Sequence, residues 1–545
     1  MFTSSRRSRG SSVRWVEPGR RRRRRLPLLP FLILILLLAA AGAVAYVLHD
    51  RSQKHAELRD TAVRYAKAWE QRKPAEMYRE LDADARSKYS ARRFAADYRM
   101  ADEQATVRKV TVGQISEEKD GRVTMAVAVQ TKLFGTLRGR MALPVTRVGE
   151  RVGVRWRPYL RLPGLRPGER VKRTIRATPR RASVLAADGR RLDREPTAAA
   201  IAGEPPAGDD PGSGLERAYN DRLAGRPSAV LLFGNRRIAA TKSRRGRSVR
   251  ATIRPGLQRA AVAALGDKLG GVAVLRPRDG AVLALSGLAT TGPQPPGSTF
   301  KIITLAAALQ TKKASVSSVY PVRTFATLSG VKLRNASDES CGGSLTQSFA
   351  HSCNSVFAPL GAKVGRKRMV AAAERFGFNV KPRVPDAVTP QFPRDHKDDL
   401  AVGAASIGQE RDLATPLQMA AVGATIANRG VHPSPRIVRS DKVVRKRAVS
   451  RTTAAQVREM MLAVVRGGTG TAAALPGVDV AGKTGTAELR PTAGGPADPK
   501  NTDAWFVAFA PARSPKVAVA VMLVGAGQGG AAAAPIAREV LEAAL

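Results

Sequence analysis

Cysteine and histidine are scarce in this chain, and their scarcity excludes several kinds of protein. The 545 residues include two cysteines and five histidines, with no HExxH sequence and no paired CxxC. The cysteines are too few for a small scaffold held together by disulfides, and the available ligands are too few for a structural zinc site or a soft-metal centre. We therefore expect the protein to work without a metal ion or any other cofactor.

Acidic residues are also in short supply. The chain has 44 Asp and Glu against 92 Lys and Arg, a formal net charge of +48, while 43% of its residues are hydrophobic. That hydrophobic share excludes a wholly disordered chain, and the length predicts about three folded domains. The basic surplus would suit phosphates, anionic lipids or anionic wall polymers as neighbours.

One stretch near the N-terminus lacks charge altogether. Residues 26–48 contain no charged side chain, and ten arginines fall within the 25 residues before them. About 20 apolar residues cross the hydrocarbon core of a bilayer, and a basic flank stays cytoplasmic. The sequence predicts a basic cytoplasmic tail (1–25), a single-pass transmembrane anchor (26–48) and an extracytoplasmic remainder, and hence a location in the cell membrane. A cleaved signal peptide is the alternative, although its apolar run is usually only about 7–15 residues.

Nucleic acid is not an expected partner. The bulk of the chain is predicted to lie outside the cell, aromatic residues make up only 5% of it, and no basic motif is interleaved with aromatic residues. The basic residues after the tail are then either a solvated surface or a means of attraction to wall polymer or lipid headgroups, and the sequence leaves both readings open.

The exported part begins with two segments of different character. In residues 51–160, apolar residues at helical spacing give way to strands, with strict alternation at residues 123–129, and this order predicts a small α+β domain. Residues 161–255 are rich in Arg, Pro and Gly and predict an extended connecting module that resembles a dimerisation module. The sequence does not fix the oligomeric state.

Residues 256–545 predict one larger α/β domain. Strands near both ends of this segment, with helices between them, predict a five-stranded antiparallel sheet flanked by helices. The helices are predicted at residues 299–309, 346–364 and 416–428. The predicted fold class is therefore multidomain, with a single N-terminal transmembrane helix, a small α+β domain, a connecting module and an α/β domain.

A Ser-x-x-Lys sequence places a hydroxyl and an amine one helical turn apart, where a neutral lysine can take the proton of the serine. The pattern occurs at Ser116, Ser298 and Ser329, so it is weak by itself. Only Ser298 is predicted to begin a helix, because two prolines and a glycine precede it and an apolar stretch follows. Its partner is Lys301. Without further evidence, an ordinary helix cap is the better interpretation.

Two further segments change that interpretation. Ser352 and Asn354 form a Ser-x-Asn sequence, with Ser352 lying 54 residues after Ser298. Lys483 begins a Lys-Thr-Gly sequence 131 residues after Ser352, at the end of a predicted strand. A lysine there supplies a fixed cation, and the glycine lets the strand approach a ligand closely.

Together the three segments resemble the signature shared by penicillin-binding proteins and serine β-lactamases. The stretches 213–216, 407–409, 414–420 and 504–511 are similar to class B penicillin-binding proteins, and residues 51–160 resemble the nuclear-transport-factor-like domain of the methicillin-resistance type of that class. The resemblance implies that residues 256–545 form a β-lactamase-like serine D,D-transpeptidase domain, which crosslinks peptidoglycan.

The resemblance also implies a role for each catalytic residue. Ser298 would attack the carbonyl between two terminal D-alanines of a stem peptide, and Lys301 would act as its base. Ser352 would relay the proton to the leaving amine, Asn354 would orient the substrate, and Lys483 would lower the pKa of Lys301.

The strand that carries the third segment would bind the peptide. Lys483, Thr484, Gly485 and Thr486 would line it and receive the substrate carboxylate, and the backbone amides of Ser298 and Thr486 would hold the oxyanion. Stem peptides ending in D-Ala-D-Ala and β-lactams are the implied ligands. The membrane and a membrane glycan polymerase are the other implied partners.

Other functions remain to be weighed. A D,D-carboxypeptidase or β-lactamase would use water as the acceptor, and a β-lactam sensor or non-catalytic scaffold would not turn over. A histidine triad involving His351 is disfavoured because no G-x-S-x-G sequence is present. A role in elongation or division, the acceptor amine and the β-lactam sensitivity stay open.

Cys341 and Cys353 lie 12 residues apart in a compartment that permits disulfides. A disulfide between them stays open, but we expect two buried free thiols. The reason is that Cys353 falls within a predicted packed helix, and a bridge requires the two Cα atoms to lie within about 7 Å.

Overall fold

The structure, a computed structural model, describes residues 28–409, 411–489 and 498–545. The chain forms two compact units. Of the described residues, the first unit contains 28–176 together with 228–242, and the second contains those of 177–227 and 243–545. The segment 161–255, predicted as one connecting module, is divided between the two units.

The helices of the described residues are, in chain order, α1 (Leu28–Glu70), α2 (Pro74–Arg79), α3 (Ala83–Lys88), α4 (Ala91–Ala105), α5 (Ala199–Ala202), α6 (Gly214–Ala218), α7 (Asn220–Leu223), α8 (Pro255–Leu265), α9 (Lys301–Gln310), α10 (Leu345–Ala350), α11 (Asn354–Val364), α12 (Arg366–Arg375), α13 (Asp399–Ser406), α14 (Pro416–Ala427), α15 (Arg451–Gly467) and α16 (Gly529–Ala544).

The strands of the described residues are β1 (Val107–Lys119), β2 (Arg122–Thr131), β3 (Thr136–Val148), β4 (Arg151–Val154), β5 (Val171–Ala177), β6 (Val184–Leu185), β7 (Ser228–Phe233), β8 (Arg236–Thr241), β9 (Val249–Arg250), β10 (Gly270–Arg276), β11 (Ala281–Gly287), β12 (Val319–Arg323), β13 (Phe325–Leu328), β14 (Val331–Arg334), β15 (Cys341–Ser344), β16 (Val431–Pro433), β17 (Arg445–Arg447), β18 (Ala481–Glu488), β19 (Thr502–Ala510) and β20 (Val517–Leu523).

The first unit is an α+β domain, as its sequence pattern predicts. Strands β1 to β4 form an antiparallel meander, and its apolar face packs against α1, α2 and α4. The alternating apolar residues of β2 are all buried, as a one-sided sheet requires. An aromatic cluster fills the core, with the rings of Phe94 and Trp156 4.8 Å apart and the hydroxyls of Tyr65 and Tyr98 2.7 Å apart.

No helix among the described residues combines the length and the apolar content that a bilayer crossing needs. The predicted basic tail, 1–25, lies outside the described residues, and the predicted anchor, 26–48, begins outside them. The anchor therefore stays a prediction.

The second unit is built on the predicted five-stranded antiparallel sheet, with the strand order β11-β10-β20-β19-β18 in the described residues. Residues of β10, β19 and β20 are buried on both faces, because α8 and α16 cover one face and the helices around α9 and α14 cover the other. Strand β18 lies at an edge of this sheet, and its backbone pairs with β19 on one side.

One predicted helix is wrong in a way that bears on the site. A single helix was expected at residues 346–364, but the chain forms α10 and α11 with a turn at residues 351–353 between them. Ser352, in that turn, has a φ of +63°, which lies in the left-handed region and cannot continue a helix.

Candidate active site

The second unit brings the three sequence segments together. Ser298 lies in a 3-10 turn at Gly297–Phe300, which leads directly into α9, so Lys301 is the first residue of that helix. Ser352 lies in the turn between α10 and α11, and Asn354 is the first residue of α11. The third segment lies on the edge strand β18, where Lys483 faces Ser352.

Glycine allows the turn that carries Ser298 to lie directly against strand β18. Gly297 has a φ of +51°, and a Cβ atom at this position would lie 2.6 Å from the carbonyl oxygen of Thr486. The backbone of Gly485 lies against the same turn, and a Cβ atom at Gly485 would lie only 2.8 Å from the carbonyl oxygen of Pro296. Any larger side chain at either glycine would separate the nucleophile from the strand.

Lys301 is fully buried and held by the second segment. Its Nζ atom donates to the carbonyl oxygen of Ser352 at 2.6 Å and to Oδ1 of Asn354 at 2.6 Å. Ser352 Oγ is a third acceptor at 3.2 Å. The amine therefore has a fixed position one helical turn from Ser298.

Lys483 also donates a hydrogen bond to the hydroxyl of Ser352. Its Nζ atom donates to Ser352 Oγ at 2.9 Å and to the carbonyl oxygen of Thr484 at 3.1 Å. The Nζ atom also lies 5.5 Å from the centroid of the Phe349 ring. Ser352 Oγ is thus an acceptor shared by Lys301 and Lys483, so the hydroxyl proton of Ser352 remains available for donation.

The two lysines differ in their affinity for a proton. Burial lowers the pKa of Lys301 well below its ordinary value, and the positive charge of Lys483 lowers it further. Burial brings the pKa of Lys483 to about 7. With its pKa lowered by both causes, Lys301 can act as a base one helical turn from Ser298 while Lys483 carries the positive charge.

Ser298 and Thr486 are partly exposed in the site, whereas Lys483 and Thr484 are buried. Ser298 is half-buried, and among the residues that the structure describes its hydroxyl has no hydrogen-bond partner. Thr484 Oγ1 lies 2.6 Å from the hydroxyl of Thr469, and Thr486 Oγ1 accepts from the backbone amide of Gly529 at 3.4 Å. The side chain of Thr486 is half-buried at the edge of the sheet.

Sequence reasoning missed three residues that support the site. Gly408, with a φ of +78°, accepts a hydrogen bond from the amide of Gly297 at 2.9 Å. Thr469 contacts Thr484, and the buried Asn335 accepts from the amide of Ser355 at 2.8 Å. Gly408 stands in a stretch that already resembled the family, but nothing in a single sequence connects Thr469 or Asn335 to the site.

The expectation of two free thiols is wrong, because Cys341 and Cys353 form a disulfide with their Cα atoms 5.4 Å apart. The broken helix explains the error. Cys353 lies in the turn after α10 rather than inside a continuous helix, so its side chain can reach β15. His351 is exposed beside this turn, and its side chain makes no hydrogen bond to the site among the described residues.

Comparison with known protein families matches both units. Residues 270–542 match the penicillin binding protein transpeptidase domain, and residues 58–169 match the NTF2-like N-terminal transpeptidase domain. The chain is 36% identical over 400 residues to the peptidoglycan D,D-transpeptidase PbpA of Mycolicibacterium smegmatis, which covers 61% of this chain and 79% of that protein. PbpA of Mycobacterium tuberculosis is 35% identical over 402 residues, with the same coverage.

Solved structures are also similar to this chain. The D,D-transpeptidase domain of a peptidoglycan glycosyltransferase from Eggerthella lenta has 30% identity and a TM-score of 0.58, covering 68% of this chain and 99% of that one. The penicillin G acyl-enzyme complex of penicillin-binding protein A from M. tuberculosis has 30% identity and a TM-score of 0.57, covering 67% and 100%. The resemblance stated from the sequence is confirmed: this chain belongs to the penicillin-binding protein transpeptidases, with an NTF2-like domain before the catalytic domain, and is an enzyme of that family.

Proposed function

We propose that this enzyme is a peptidoglycan D,D-transpeptidase that crosslinks stem peptides through an acyl-enzyme on Ser298 and is acylated by β-lactams at the same serine. The observation that carries the proposal is the position of Lys301, which is buried and held by Ser352 and Asn354, with its pKa lowered by burial and by the charge of Lys483. Such an amine can accept the proton of a serine hydroxyl near neutral pH.

The first half-reaction forms the acyl-enzyme. Ser298 Oγ bonds to the carbonyl carbon between the two D-alanines while its proton passes to Lys301. The C–N bond then breaks, and the terminal D-alanine leaves with a proton relayed through Ser352. The amides of Ser298 and Thr486 stabilise the oxyanion, whose donors must be in place before charge develops.

Strand β18 supplies the peptide-binding surface. Among the described residues its outer edge is unpaired, so an extended peptide can add to it as a further strand. The substrate carboxylate then meets the charge of Lys483 and the hydroxyls of Thr484 and Thr486. Hydrogen bonds from charged donors are about twice as strong as neutral ones, so this contact orients the D-Ala-D-Ala end.

In the second half-reaction an amine of another stem peptide attacks the ester. The new C–N bond forms, the bond between carbon and Ser298 Oγ breaks, and the serine recovers a proton that the incoming amine loses through Ser352 and Lys301. Water at the same position would give a carboxypeptidase or a β-lactamase instead.

Fluorescent penicillin labelling of the full-length protein tests the assignment. The wild type should label covalently and keep its label, while Ser298→Ala should not label at all. Ser329→Ala, which removes the serine of another Ser-x-x-Lys match, is the matched control and should label like the wild type. Label retained by Ser298→Ala would refute the assignment, and rapid release of antibiotic by the wild type would indicate a β-lactamase.

We also propose that residues 26–48 anchor the enzyme in the cell membrane, with the tail cytoplasmic and the catalytic domain outside. The support is the uncharged stretch behind ten arginines. A membrane glycan polymerase would then work beside the enzyme, since crosslinking requires freshly polymerised strands. Protease added to intact spheroplasts should digest the catalytic domain and leave an epitope at the N-terminus intact. Extraction of the full chain without detergent would contradict the anchor.

A further inference from the structure

Asn335 joins three backbone segments beside the site. Its side chain is 6% exposed, and both of its amide hydrogens are used, one on the carbonyl oxygen of Arg323 at 2.7 Å and one on that of Glu339 at 2.8 Å. Its Oδ1 atom accepts from the backbone amide of Ser355 at 2.8 Å. The end of β12, the segment before β15 and the first turn of α11 are therefore held by one side chain.

The bond to Ser355 replaces a missing helix cap. Helix α11 begins after Cys353, and this N-cap residue makes no side-chain cap because its sulfur is committed to the disulfide with Cys341. Ser, Thr, Asp or Asn usually supplies the acceptor at this position. Here the acceptor comes from outside the helix, from Asn335, and it binds the amide next to Asn354.

The peptide group before Asn335 selects the orientation of Asn354. The carbonyl oxygen of Arg334 accepts from Nδ2 of Asn354 at 2.8 Å, which leaves Oδ1 to face Lys301 Nζ at 2.6 Å. The reversed amide would bring two oxygen atoms together at Arg334 and point N–H groups at the amine of Lys301. Only the observed orientation satisfies both neighbours.

We propose that Asn335 is a positioning residue for acylation, acting through the first turn of α11 to fix Asn354 and, through it, the amine of Lys301. The inference rests on the proposed function of Ser298 and Lys301. Within the part of the chain that the structure describes, Asn335 makes no hydrogen bond to Lys483, Thr484 or Thr486, so its loss should impair the acylation step and leave the non-covalent binding of a β-lactam unchanged.

Stopped-flow acylation of the full chain by a fluorescent penicillin separates these two steps. Asn335→Leu, which keeps the approximate volume but no polar atom, should lower the first-order acylation rate about tenfold and change the dissociation constant of the initial complex less than about twofold. Asn335→Asp keeps an oxygen for the Ser355 amide but sets a carboxylate oxygen against the carbonyl oxygens of Arg323 and Glu339, so it should be less stable than the wild type while lowering the rate of the folded protein less than Asn335→Leu does. Asn428→Leu is the matched control, since Asn428 donates to the Val431 carbonyl in a turn after α14, and it should acylate like the wild type.

The outcomes decide between a positioning role and a purely structural one. An Asn335→Leu rate within twofold of the wild type overturns the inference, as does an equal fall for Asn335→Leu, Asn335→Asp and Asn428→Leu. If Asn335→Leu does not fold, Asn335→Ala, which removes the same polar atoms without adding bulk, takes its place, and a rate within twofold of the wild type again overturns the inference. Ser298→Ala keeps the tests separate: labelling of that variant refutes the proposed function, whereas Ser298-dependent labelling with a wild-type rate in Asn335→Leu refutes only this inference.

Discussion

Replacing Gly408 with alanine tests how closely the nucleophile turn depends on its backbone neighbours. Gly408 has a φ of +78°, a conformation that costs a residue with a Cβ atom about 1–2 kcal/mol. The new methyl group would lie 2.0 Å from the carbonyl oxygen of Gly297, so the two segments must separate by more than 1 Å to reach ordinary contact at 3.4 Å. That separation would also break the 2.9 Å hydrogen bond between Gly297 N and the Gly408 carbonyl oxygen, worth about 0.5–1.5 kcal/mol.

Gly408→Ala should therefore lower the free energy of unfolding by about 2–3 kcal/mol and move the Ser298 amide away from the oxyanion position. A misplacement of about 1 Å at a reacting group can cost about a hundredfold in rate. We expect penicillin acylation of the folded variant to slow by one to two orders of magnitude, measured at a temperature well below its melting point, with thermal unfolding followed in parallel.

Gly256→Ala is the matched control for this substitution. Gly256 lies in α8, and a Cβ atom there would meet no heavy atom within 4 Å. Alanine is favoured over glycine in a helix by about 1 kcal/mol, so this variant should be as stable as the wild type or more stable, with unchanged acylation. If Gly408→Ala matched Gly256→Ala in both acylation rate and stability, the proposed dependence of the Ser298 turn on Gly408 would be refuted.

Three further predictions concern charge and the disulfide. The rate constant for acylation at low penicillin concentration should rise with pH as Lys301 loses its proton, and should fall above about pH 7 as Lys483 loses its proton. A penicillin ester, which lacks the carboxylate that Lys483 binds, should show no fall at high pH. A rate constant that does not change with pH would contradict these two pKa shifts. Replacing both Cys341 and Cys353 with serine should lower the free energy of unfolding by about 2–3 kcal/mol and slow acylation. If urea titration gave an unchanged free energy of unfolding and penicillin labelling an unchanged rate, the disulfide would not support the active site. Burial raises the pKa of Asp503 to about 6, so ionisation of this carboxyl group destabilises the fold increasingly as pH rises from about 4 through 6. Asp503→Asn should therefore raise the melting temperature more at pH 8 than at pH 5. Equal increases at the two pH values would exclude this link between ionisation and stability.

The sequence predicted those parts of the fold that follow from local pattern. The alternation in β2 and the two-sided burial of β10, β19 and β20 are direct consequences of period and composition. The helix expected at residues 346–364 is apolar throughout, and pattern alone gave no reason to divide it. The division occurs at Ser352, whose left-handed backbone is fixed by tertiary contacts with Lys301 and Lys483.

The site itself was predictable in its chemical groups but not in its supports. The serines, lysines and Lys-Thr-Gly strand are identifiable because their chemistry restricts both residue type and order. Asn335 is different, since its importance comes from hydrogen bonds to backbone atoms of three separate segments. No sequence motif indicates that these segments meet at Asn335. The disulfide was missed for a related reason, because it depends on the turn that interrupts the helix.

The direction of proton transfer follows from the asymmetry between the two lysines under the proposed roles. Both donate to Ser352 Oγ, and burial and the charge of Lys483 lower the pKa of Lys301. A proton taken from Ser298 therefore raises the energy of Lys301 as long as Lys483 stays charged. Ser352 provides the route by which this proton leaves Lys301, because the Ser352 oxygen accepts a hydrogen bond from Lys301 while the Ser352 hydroxyl hydrogen passes to the leaving amine. Lys483 thus favours onward transfer of the proton without exchanging one, and its charge acts strongly on Lys301 because both amines are buried.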